Sequence, residues 1–287
     1  MYYEYTQEEL RAYCRTCIET FEIWARRFIH ELMSEKYGED YLYAQLPTGD
    51  YIVSKEVRKQ VERMIQKEPA RFPRKIDTLF VENIIDVLCN DKLYRELFGK
   101  ILLKKYPEGK EELRTFLTRV AEIRNYLSHA NPISVRQAEQ AICYSHDFID
   151  CMKKYYKTKG EEQMWNVPQI IKATDSLGNV FDSIEQKLSI GATLIIDQRL
   201  SCGDTYSVEI EIDSSFDKCE YDIYWALNGL RKDRFINHTK FTVTFTAKEV
   251  GASCSIWCWI VSKKDWHKYG SFDSKIQLLF TVLPPND

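Results

Sequence analysis

The chain has 287 residues and a formal net charge of −3, from 40 lysines and arginines against 43 aspartates and glutamates. This length predicts one large or two modest domains, and the balanced charge excludes a broad basic surface that would track nucleic acid. No apolar run approaches the roughly 20 residues that span a bilayer, and the first residues lack the basic and apolar regions of a signal peptide. We therefore expect a cytoplasmic protein that makes no contact with membranes.

The first half of the chain has apolar residues at helical spacing. Thr6 and Glu9 form a capping-box pattern before the first helix, and Ser134 and Gln137 repeat it before the last helix. In chain order, the predicted helices run over residues 6–38, 53–67, 76–105 with a break at 90–91, 110–129 and 134–156. Short connections between long amphipathic helices favour an antiparallel arrangement, so residues 1–157 are predicted to form an all-α helical bundle.

The period of the sequence changes from helical to alternating after Pro168. Residues 158–166 are polar and are expected to be a linker or the frayed end of the last helix. Apolar and polar residues then alternate over 205–212, 221–227, 241–246, 254–261 and 276–282. About five to seven short strands within residues 167–287 predict an antiparallel β-sandwich, which together with the bundle makes an α+β chain of two domains.

Trp225 in a central strand and Cys258 in a later one make this second domain resemble immunoglobulin-like domains. The partner cysteine expected on an earlier strand is absent, because Val208 and Ile210 occupy that stretch. The disulfide form is therefore excluded, and we expect all nine cysteines to be reduced thiols, mostly buried. No set of His, Cys, Asp and Glu residues has metal-ligand spacing, so we expect neither a metal nor a cofactor.

Residues Arg124 to His129, with the sequence Arg-Asn-Tyr-Leu-Ser-His, lie at the end of a strongly amphipathic predicted helix. At about 100° per residue, Arg124 lies about 20° from Leu113 and within the apolar stripe, whereas Asn125 and His129 lie at about 120° and 160° on the opposite face. Arginine, asparagine and histidine together can bind a phosphodiester, donate hydrogen bonds to it and transfer a proton. The sequence therefore predicts a site at Arg124, Asn125 and His129.

A simpler interpretation comes first, because a lone pattern of this kind in an average protein is more often structural than functional. Arg124 could extend its charge to solvent or pair with a buried acid of its own bundle, and His129 could be an ordinary surface residue. Two features favour a function instead. An arginine within an apolar stripe needs a reason to be there, and side chains on a terminal turn can converge because ideal helical angles relax there.

The bundle and its motif resemble the HEPN superfamily, and within it the HEPN domain of Swt1-like proteins. The resemblance covers the first half of the chain and rests on Leu79–Asp86, Leu97–Gly99, Glu122–Pro132 and the helix capped by Ser134. It implies a metal-independent endoribonuclease that works as a homodimer through the helical domain, with the two copies of the motif facing each other across a cleft. It also implies a toxin or antiviral defence effector, since many family members have that role.

The residue types of the motif fit this chemistry. RNA carries its own nucleophile, the 2′-OH, so His129 is expected to act as acid or base, Arg124 to hold the phosphate, and Asn125 to orient the imidazole or bind phosphate or ribose. The expected products are 2′,3′-cyclic phosphate and 5′-OH ends. One departure is Asn131, because a subgroup of HEPN toxins has a tyrosine at that position and is silenced there by nucleotidylation.

The second domain is predicted to do no chemistry and to dock a partner. Its net charge of 13 − 16 = −3 over residues 167–287 favours a protein or phage-component partner over RNA. Trp257 and Trp259 can stack on bases, but in a sandwich such residues are more typical of the core or of a protein-binding rim. The exposed candidates for docking are Trp266, Tyr269, Arg231 and Arg234. The alternative function is a non-catalytic interaction protein whose bundle only forms a dimer.

Overall fold

The computed structural model describes residues 6–68, 72, 74–182, 192–231 and 236–285, with the backbone only for residues 165, 182, 192, 230 and 231. The chain divides into two compact units, Met1–Gly160 and Glu161–Asp287. The first unit is helical and the second contains antiparallel and mixed sheets, so the predicted α+β class is confirmed at this level. Within the described ranges, no helix is long and apolar enough to cross a membrane.

The helices of the first unit follow the predicted pattern closely. They are α1 (Gln7–Tyr37), α2 (Lys55–Lys67), α3 (Val81–Leu88), α4 (Asp91–Leu93), α5 (Gly99–Leu102), α6 (Lys110–Ser128) and α7 (Val135–Lys159). Two short 3₁₀ turns, Tyr41–Tyr43 and Lys75–Thr78, precede α2 and α3.

Capping side chains start the two longest helices, as the sequence predicted. The hydroxyl of Thr6 accepts a hydrogen bond from the backbone N–H of Glu9 at 3.2 Å, and the Glu9 carboxylate accepts the Thr6 N–H at 2.9 Å. Ser134 and Gln137 make the same reciprocal pair at the start of α7. Each such cap contributes about 1 kcal/mol to helix stability because it satisfies N–H groups that have no partner within the helix.

The stretch expected to be a linker or the frayed end of the last helix, residues 158–166, contains the end of α7 and a further short helix. α7 continues to Lys159 and ends at Gly160, which has a φ of 73° in the left-handed region. A short helix α8, Glu162–Trp165, follows it. The polar composition of this stretch favours exposure to solvent, but it contains no proline to stop α7, so the helix runs on to the first glycine.

The predicted helix over residues 76–105 is interrupted more often than expected. The side chain of Asn90 accepts the N–H groups of Lys92 and Leu93 and so caps α4, at the predicted break. A π-helical turn, Tyr94–Phe98, then joins α4 to α5. A Cβ on Gly99 would lie 2.9 Å from the carbonyl oxygen of Tyr94, so the wide turn requires a glycine there.

Aromatic residues form the centre of the helical core, where α1 packs along α7. Phe21 and Phe28 of α1 contact the Phe148 ring of α7 at centroid distances of 5.2 and 6.2 Å, and Trp24 contacts Tyr156 at 6.1 Å. All five side chains are fully buried. Burial of each such side chain contributes roughly 1.5–3 kcal/mol, so this contact between two long helices holds α1 in place against the rest of the unit.

The second unit contains two sheets. Its strands are β1 (Ile170–Asp175), β2 (Val180–Asp182), β3 (Ala192–Ile195), β4 (Leu200–Ser201), β5 (Thr205–Ile212), β6 (Tyr221–Leu227), β7 (Leu230–Arg231), β8 (Lys240–Thr244), β9 (Gly251–Ser262) and β10 (Ser274–Leu283). One sheet has the order β2-β1-β5-β8 and the other β3-β10-β9-β6-β7, with β4 also pairing with β10. Inward side chains of both sheets contribute to one apolar core.

The expectation of a wholly antiparallel domain was wrong at one edge. β3 and β4 both pair with β10 in the parallel direction, whereas the other pairings are antiparallel within the described strands. Both segments are short and lack a clear alternating pattern, so the sequence carried no signal for them. β3 and β4 pair with the side of β10 that does not face β9. This pairing satisfies N–H and C=O groups of β10 that would otherwise be exposed to solvent.

All nine cysteines are free thiols, and six of them are buried. Cys258 lies within the core of the second unit as a free thiol. Its register partner Trp225 stacks on Phe241, with 5.3 Å between the ring centres. Burial raises the pKa of the Cys14 thiol to about 12 and that of Cys89 to about 11, which makes both poor nucleophiles. The packed thiols therefore serve as small apolar side chains.

Candidate functional site

The motif lies where α6 ends and the chain turns back. Ala130 has a φ of 57°, in the left-handed region. The N–H of Ala130 donates to the carbonyl of Leu127 at 3.3 Å, and the N–H of Asn131 donates to that of Tyr126 at 2.9 Å. This is a Schellman turn, in which the left-handed position is usually glycine because a Cβ there costs about 1–2 kcal/mol. The end of α6 is therefore strained and needs support from other elements.

Two arginines of α1 supply that support. Arg11 Nη1 donates to the carbonyl oxygens of Ala130 and Asn131, at 2.9 and 2.5 Å. Arg15 Nη2 lies 3.4 Å from the carbonyl oxygen of Leu127. Cations stabilise the C-terminal end of a helix, where carbonyl groups without partners carry partial negative charge. The two arginines thus hold the backbone on both sides of residue 129.

Arg124 extends from α6 toward α1. Its Nε lies 3.9 Å from Oε1 of Glu22, and its guanidinium carbon lies 5.8 Å from the centre of the Phe80 ring. At that distance the contact with Glu22 is ionic and too long for a hydrogen bond. The side chain exposes 32% of its surface, and within the described part of the chain no group accepts a hydrogen bond from it. Arg124 is therefore paired within its bundle but keeps its N–H donors available.

Asn125 and His129 lie on the exposed face of α6, where the helical periodicity placed them. Nδ2 of Asn125 donates to the Glu82 carboxylate of α3 at 3.1 Å. The backbone N–H of His129 donates to the carbonyl of Asn125 at 3.1 Å and closes the helix. Among the residues that the structure describes, none bonds to the His129 imidazole. The Asn125 amide is thus directed to Glu82 and not to the imidazole, so of its two predicted roles the structure favours binding of phosphate or ribose over orientation of the imidazole.

A buried arginine fixes the surroundings of Arg124. Arg26 is 7% exposed, and its Nε and Nη2 donate to the carbonyl oxygen of Leu79 at 3.1 and 2.7 Å. It is also paired with Glu22, the acid that Arg124 contacts. Because Leu79 directly precedes Phe80, this contact holds the start of α3 against α1. The ion pair and the loop before α3 therefore form one connected network beneath the motif.

The four charged residues of α1 in this network were missed by the sequence analysis. Arg11, Arg15, Glu22 and Arg26 lie within about 60° of one another around the helix axis, so they form one polar stripe beside the apolar stripe of α1. An available signal was the spacing of three arginines and a glutamate on one helical face. Its partners on α6 and the loop before α3 lie far away in sequence, so the spacing by itself indicated only a solvated face.

The arrangement suits binding of an anion and proton transfer better than metal binding. Three arginines and one histidine surround the end of α6, opposed by the carboxylates of Glu22 and Glu82. No group of three or more His, Cys, Asp or Glu side chains that could hold a metal ion exists among the described residues. Arginine guanidinium groups bind phosphate oxygens in two-pronged geometry, and histidine exchanges protons near neutral pH.

The docking candidates of the second unit are less exposed than expected. Trp266 and Tyr269 are half-buried; the Lys264 ammonium lies 4.6 Å from the centre of the Trp266 ring, and Tyr269 packs against Phe272. Arg234 and the side chain of Arg231 lie outside the described residues. The rings of Trp257 and Trp259 are stacked at 5.7 Å and half-buried on β9.

Comparison with known proteins adds no assignment. No family model matches the chain, and no curated protein matches it.

Proposed function

We propose that the chain is a metal-independent endoribonuclease of the HEPN type, with Arg124, Asn125 and His129 as its catalytic residues. The observation that carries the proposal is the end of α6, where His129 presents an imidazole without a partner among the described residues beside a strained turn. Strained backbone persists where the surrounding structure holds it, and it clusters at functional sites. Arg11 and Arg15 hold this turn from another helix, which keeps the position of His129 defined.

The proposed reaction is attack of the RNA 2′-OH on the adjacent phosphorus. The new bond joins the 2′-oxygen to phosphorus, and the bond from phosphorus to the 5′-oxygen breaks. One histidine removes the proton from the 2′-OH, and another donates a proton to the departing 5′-oxygen. Arg124 stabilises the charge that develops on the phosphate oxygens, through donors that no described residue occupies. The products are a 2′,3′-cyclic phosphate and a 5′-OH end.

A homodimer through the helical domain would complete this site. Each chain contributes one His129, whereas the reaction benefits from one base and one acid. A two-fold axis brings the same surface of two copies together, so two histidines can face each other. Two large aromatic residues, Tyr126 within the motif and Phe80 beside Arg124, are 44% and 36% exposed and offer apolar area for such a contact.

The wider role follows from the resemblance to the HEPN superfamily. We propose a toxin or antiviral defence effector in the cytoplasm, with the immunoglobulin-like second domain docking a protein or phage component. This domain would then set when or where the nuclease acts. The test is deletion of residues 167–287: a soluble bundle that cleaves RNA without regulation supports this role, and unchanged behaviour in the cell contradicts it.

The activity is tested by incubating the purified full-length chain with bulk RNA in the presence of EDTA. We expect cleavage that leaves 2′,3′-cyclic phosphate ends, detected by end-specific ligation. Wild-type chains mixed with His129→Ala chains should lose more than half of the activity if the site is shared between two copies. Full activity of a monomer, shown by analytical ultracentrifugation at micromolar concentration, would contradict the dimeric site.

The second candidate is a non-catalytic interaction protein that uses the same bundle for dimerisation. The contact between Arg124 and Glu22 favours it, because that pairing explains the arginine without any ligand. The EDTA experiment separates the two functions, since an inactive dimer leaves RNA intact. A dimer that forms normally but yields no cyclic phosphate ends would support this second candidate.

A further inference from the structure

The second unit contains a cavity of about 430 Å³ at the outer face of the sheet that holds β6 and β9. Residues of β9 alternate in this region: Cys258 and Ile260 point into the core, and Trp259 and Val261 therefore lie on the opposite face. The described residues that line the cavity are Tyr224, Gly229, Trp259, Val261, Ser271 and Phe272. The volume falls within the usual range for ligand pockets, about 300–1,000 Å³.

The described part of the lining is aromatic and uncharged, and it offers hydrogen-bond donors. Tyr224, Trp259 and Phe272 provide three aromatic walls. In the described part of the chain, nothing accepts a hydrogen bond from the Trp259 indole N–H or from the Ser271 hydroxyl. An occupant of this cavity should therefore be apolar over much of its surface and should present hydrogen-bond acceptors.

A positive charge lies at the edge of the cavity. The ammonium of Lys275 lies 5.5 Å from the centre of the Phe272 ring and 4.8 Å from that of Trp257, and Lys275 is the register partner of Trp259. It forms no ion pair with any carboxylate that the structure describes. Lys263, directly after β9, is neutralised by Asp222. The rim of the cavity thus favours a negative charge on the occupant.

We infer that this cavity docks an acidic, proline-rich segment of a protein partner in the polyproline II conformation. Such a segment has apolar rings that pack on aromatic walls, and its backbone presents carbonyl acceptors while its prolines lack N–H donors. The indole of Trp259 and the hydroxyl of Ser271 supply the matching donors. Lys275 supplies a partner for an acidic residue beside the prolines. Recognition of proline-rich segments by aromatic grooves uses this complementarity.

Two other kinds of occupant fit less well. RNA would bring phosphates to a domain with a net charge of 13 − 16 = −3 over residues 167–287, and one lysine at the rim does not compensate for that. Sugars present many hydroxyl groups, each of which needs a partner when it is buried. The described lining contains no carboxylate, carboxamide or guanidinium group to bind them.

Titration of the full-length chain with a fluorescent peptide tests the inference without reference to the nuclease activity. The probe is a proline run flanked by glutamates, and the comparisons are the same peptide flanked by lysines, one with alanines for prolines, a neutral oligosaccharide and a short single-stranded RNA. We expect saturable binding of the glutamate-flanked peptide, at least about tenfold tighter than any comparison. No saturation at millimolar peptide, or tighter binding of the sugar or the RNA, would overturn the inference.

Substitutions locate the binding. Trp259→Ala should weaken binding at least about tenfold, because aromatic anchors dominate such contacts, and Lys275→Ala should weaken it about threefold to fivefold. Lys240→Ala, an exposed lysine of β8 in the other sheet, is the matched control and should leave binding unchanged. If Trp259→Ala does not fold, Ser271→Ala at an exposed position replaces it and should weaken binding several-fold. Unchanged binding in both Lys275→Ala and a folded Trp259→Ala or Ser271→Ala would refute this location.

Discussion

Two helices of the first unit, α6 and α7, both end at a residue in the left-handed conformation, but different interactions hold the two ends. α7 ends at Gly160, which takes the left-handed conformation with a φ of 73° and has open space around its missing Cβ. α6 ends at Ala130, which takes a φ of 57° in spite of its Cβ. The carbonyls at the end of α6 are bound by Arg11 and Arg15 of α1. One end is specified locally by a glycine, and the other is held by contacts from a distant helix.

The difference between the two ends indicates which of them is the better candidate for a functional site. A glycine cap needs no tertiary support, so it says nothing about a site. A strained alanine that is held by two arginines brings charge to the same place as the motif. Strain held by surrounding contacts is an observation from which a functional hypothesis can start. Substitutions at the two ends should therefore differ in kind, and the expected effects below run from the largest to the smallest.

The largest expected effect of substitutions at the end of α6 is on the rate of RNA cleavage. His129→Ala and Arg124→Ala should each lower the rate of RNA cleavage by at least about 100-fold, because proton transfer and charge stabilisation each contribute this much or more. Asn125→Ala should lower the rate less, since its amide donates to Glu82 and neither transfers a proton nor carries charge. Lys157→Ala in the last turn of α7 and His238→Ala in the second unit are matched controls and should keep full activity. Cleavage of RNA by folded His129→Ala at the wild-type rate would contradict the proposed mechanism.

Loss of the buried arginine beneath the motif should have the largest effect on stability. Arg26→Ala leaves the Leu79 carbonyl without its partner and leaves Glu22 only the longer contact with Arg124 at 3.9 Å. Breaking a buried pair costs about 3–5 kcal/mol. Urea denaturation measures this change. Arg136→Ala, an exposed arginine in the first turn of α7, should change the free energy of unfolding by less than about 0.5 kcal/mol. Equal effects of the two substitutions would mean that the network does not hold α3 against α1.

Removal of the support for the α6 end should have an intermediate effect. Arg11→Ala removes two charge-assisted hydrogen bonds to the carbonyls that follow α6. The free energy of unfolding should fall by about 1.5–3 kcal/mol in total, because water can hydrate these carbonyls in the variant. If the nuclease proposal holds, kcat should fall while KM changes little, since the turn that carries His129 loosens. Arg11→Lys should recover part of the stability. An unchanged rate of hydrogen exchange at the Asn131 amide would show that Arg11 does not hold this turn.

Exchange of the two cap residues should give small effects of opposite sign. Ala130→Gly removes the Cβ from the left-handed position and should stabilise the chain by up to about 1 kcal/mol. Gly160→Ala introduces a Cβ at the same conformation and should destabilise it by about 1–2 kcal/mol. Thermal denaturation of both variants under one set of conditions is the measurement. Stabilisation by Gly160→Ala would show that the left-handed angle at that end is not needed.

The smallest expected effect concerns pH and the other end of α1. Burial, followed by the charge of Arg74, lowers the pKa of His30, whose Nδ1 lies 3.0 Å from the Tyr41 hydroxyl. The unfolded chain then binds more protons than the folded one below about pH 6.5, so stability should fall as the pH drops below that value. His30→Gln should remove this part of the slope, whereas Lys157→Ala at an exposed position of α7 should keep it. Identical slopes in wild type and His30→Gln would contradict this assignment.

Local patterns in the sequence determined much of this protein. Helical periodicity placed α1, α6 and α7, and side-chain caps marked the starts of α1 and α7. Both signals are local, because a cap such as Thr6 and an apolar stripe act within a few residues of each other. The alternating period did the same for β5, β6 and β9. It also placed Asn125 and His129 on the exposed face of α6, since rotation per residue decides the face. Their catalytic role stays a prediction.

The tertiary structure alone decided which distant residues meet. Arg11 binds carbonyls 119 and 120 positions away, and Arg26 binds one 53 positions away, so no local pattern could reveal either contact. The parallel pairing of β3 with β10 is of the same kind, because short segments without a clear period choose their partner by the edge that is left open. Sequence period fixes which face a residue occupies, and packing over long separations decides what that face touches.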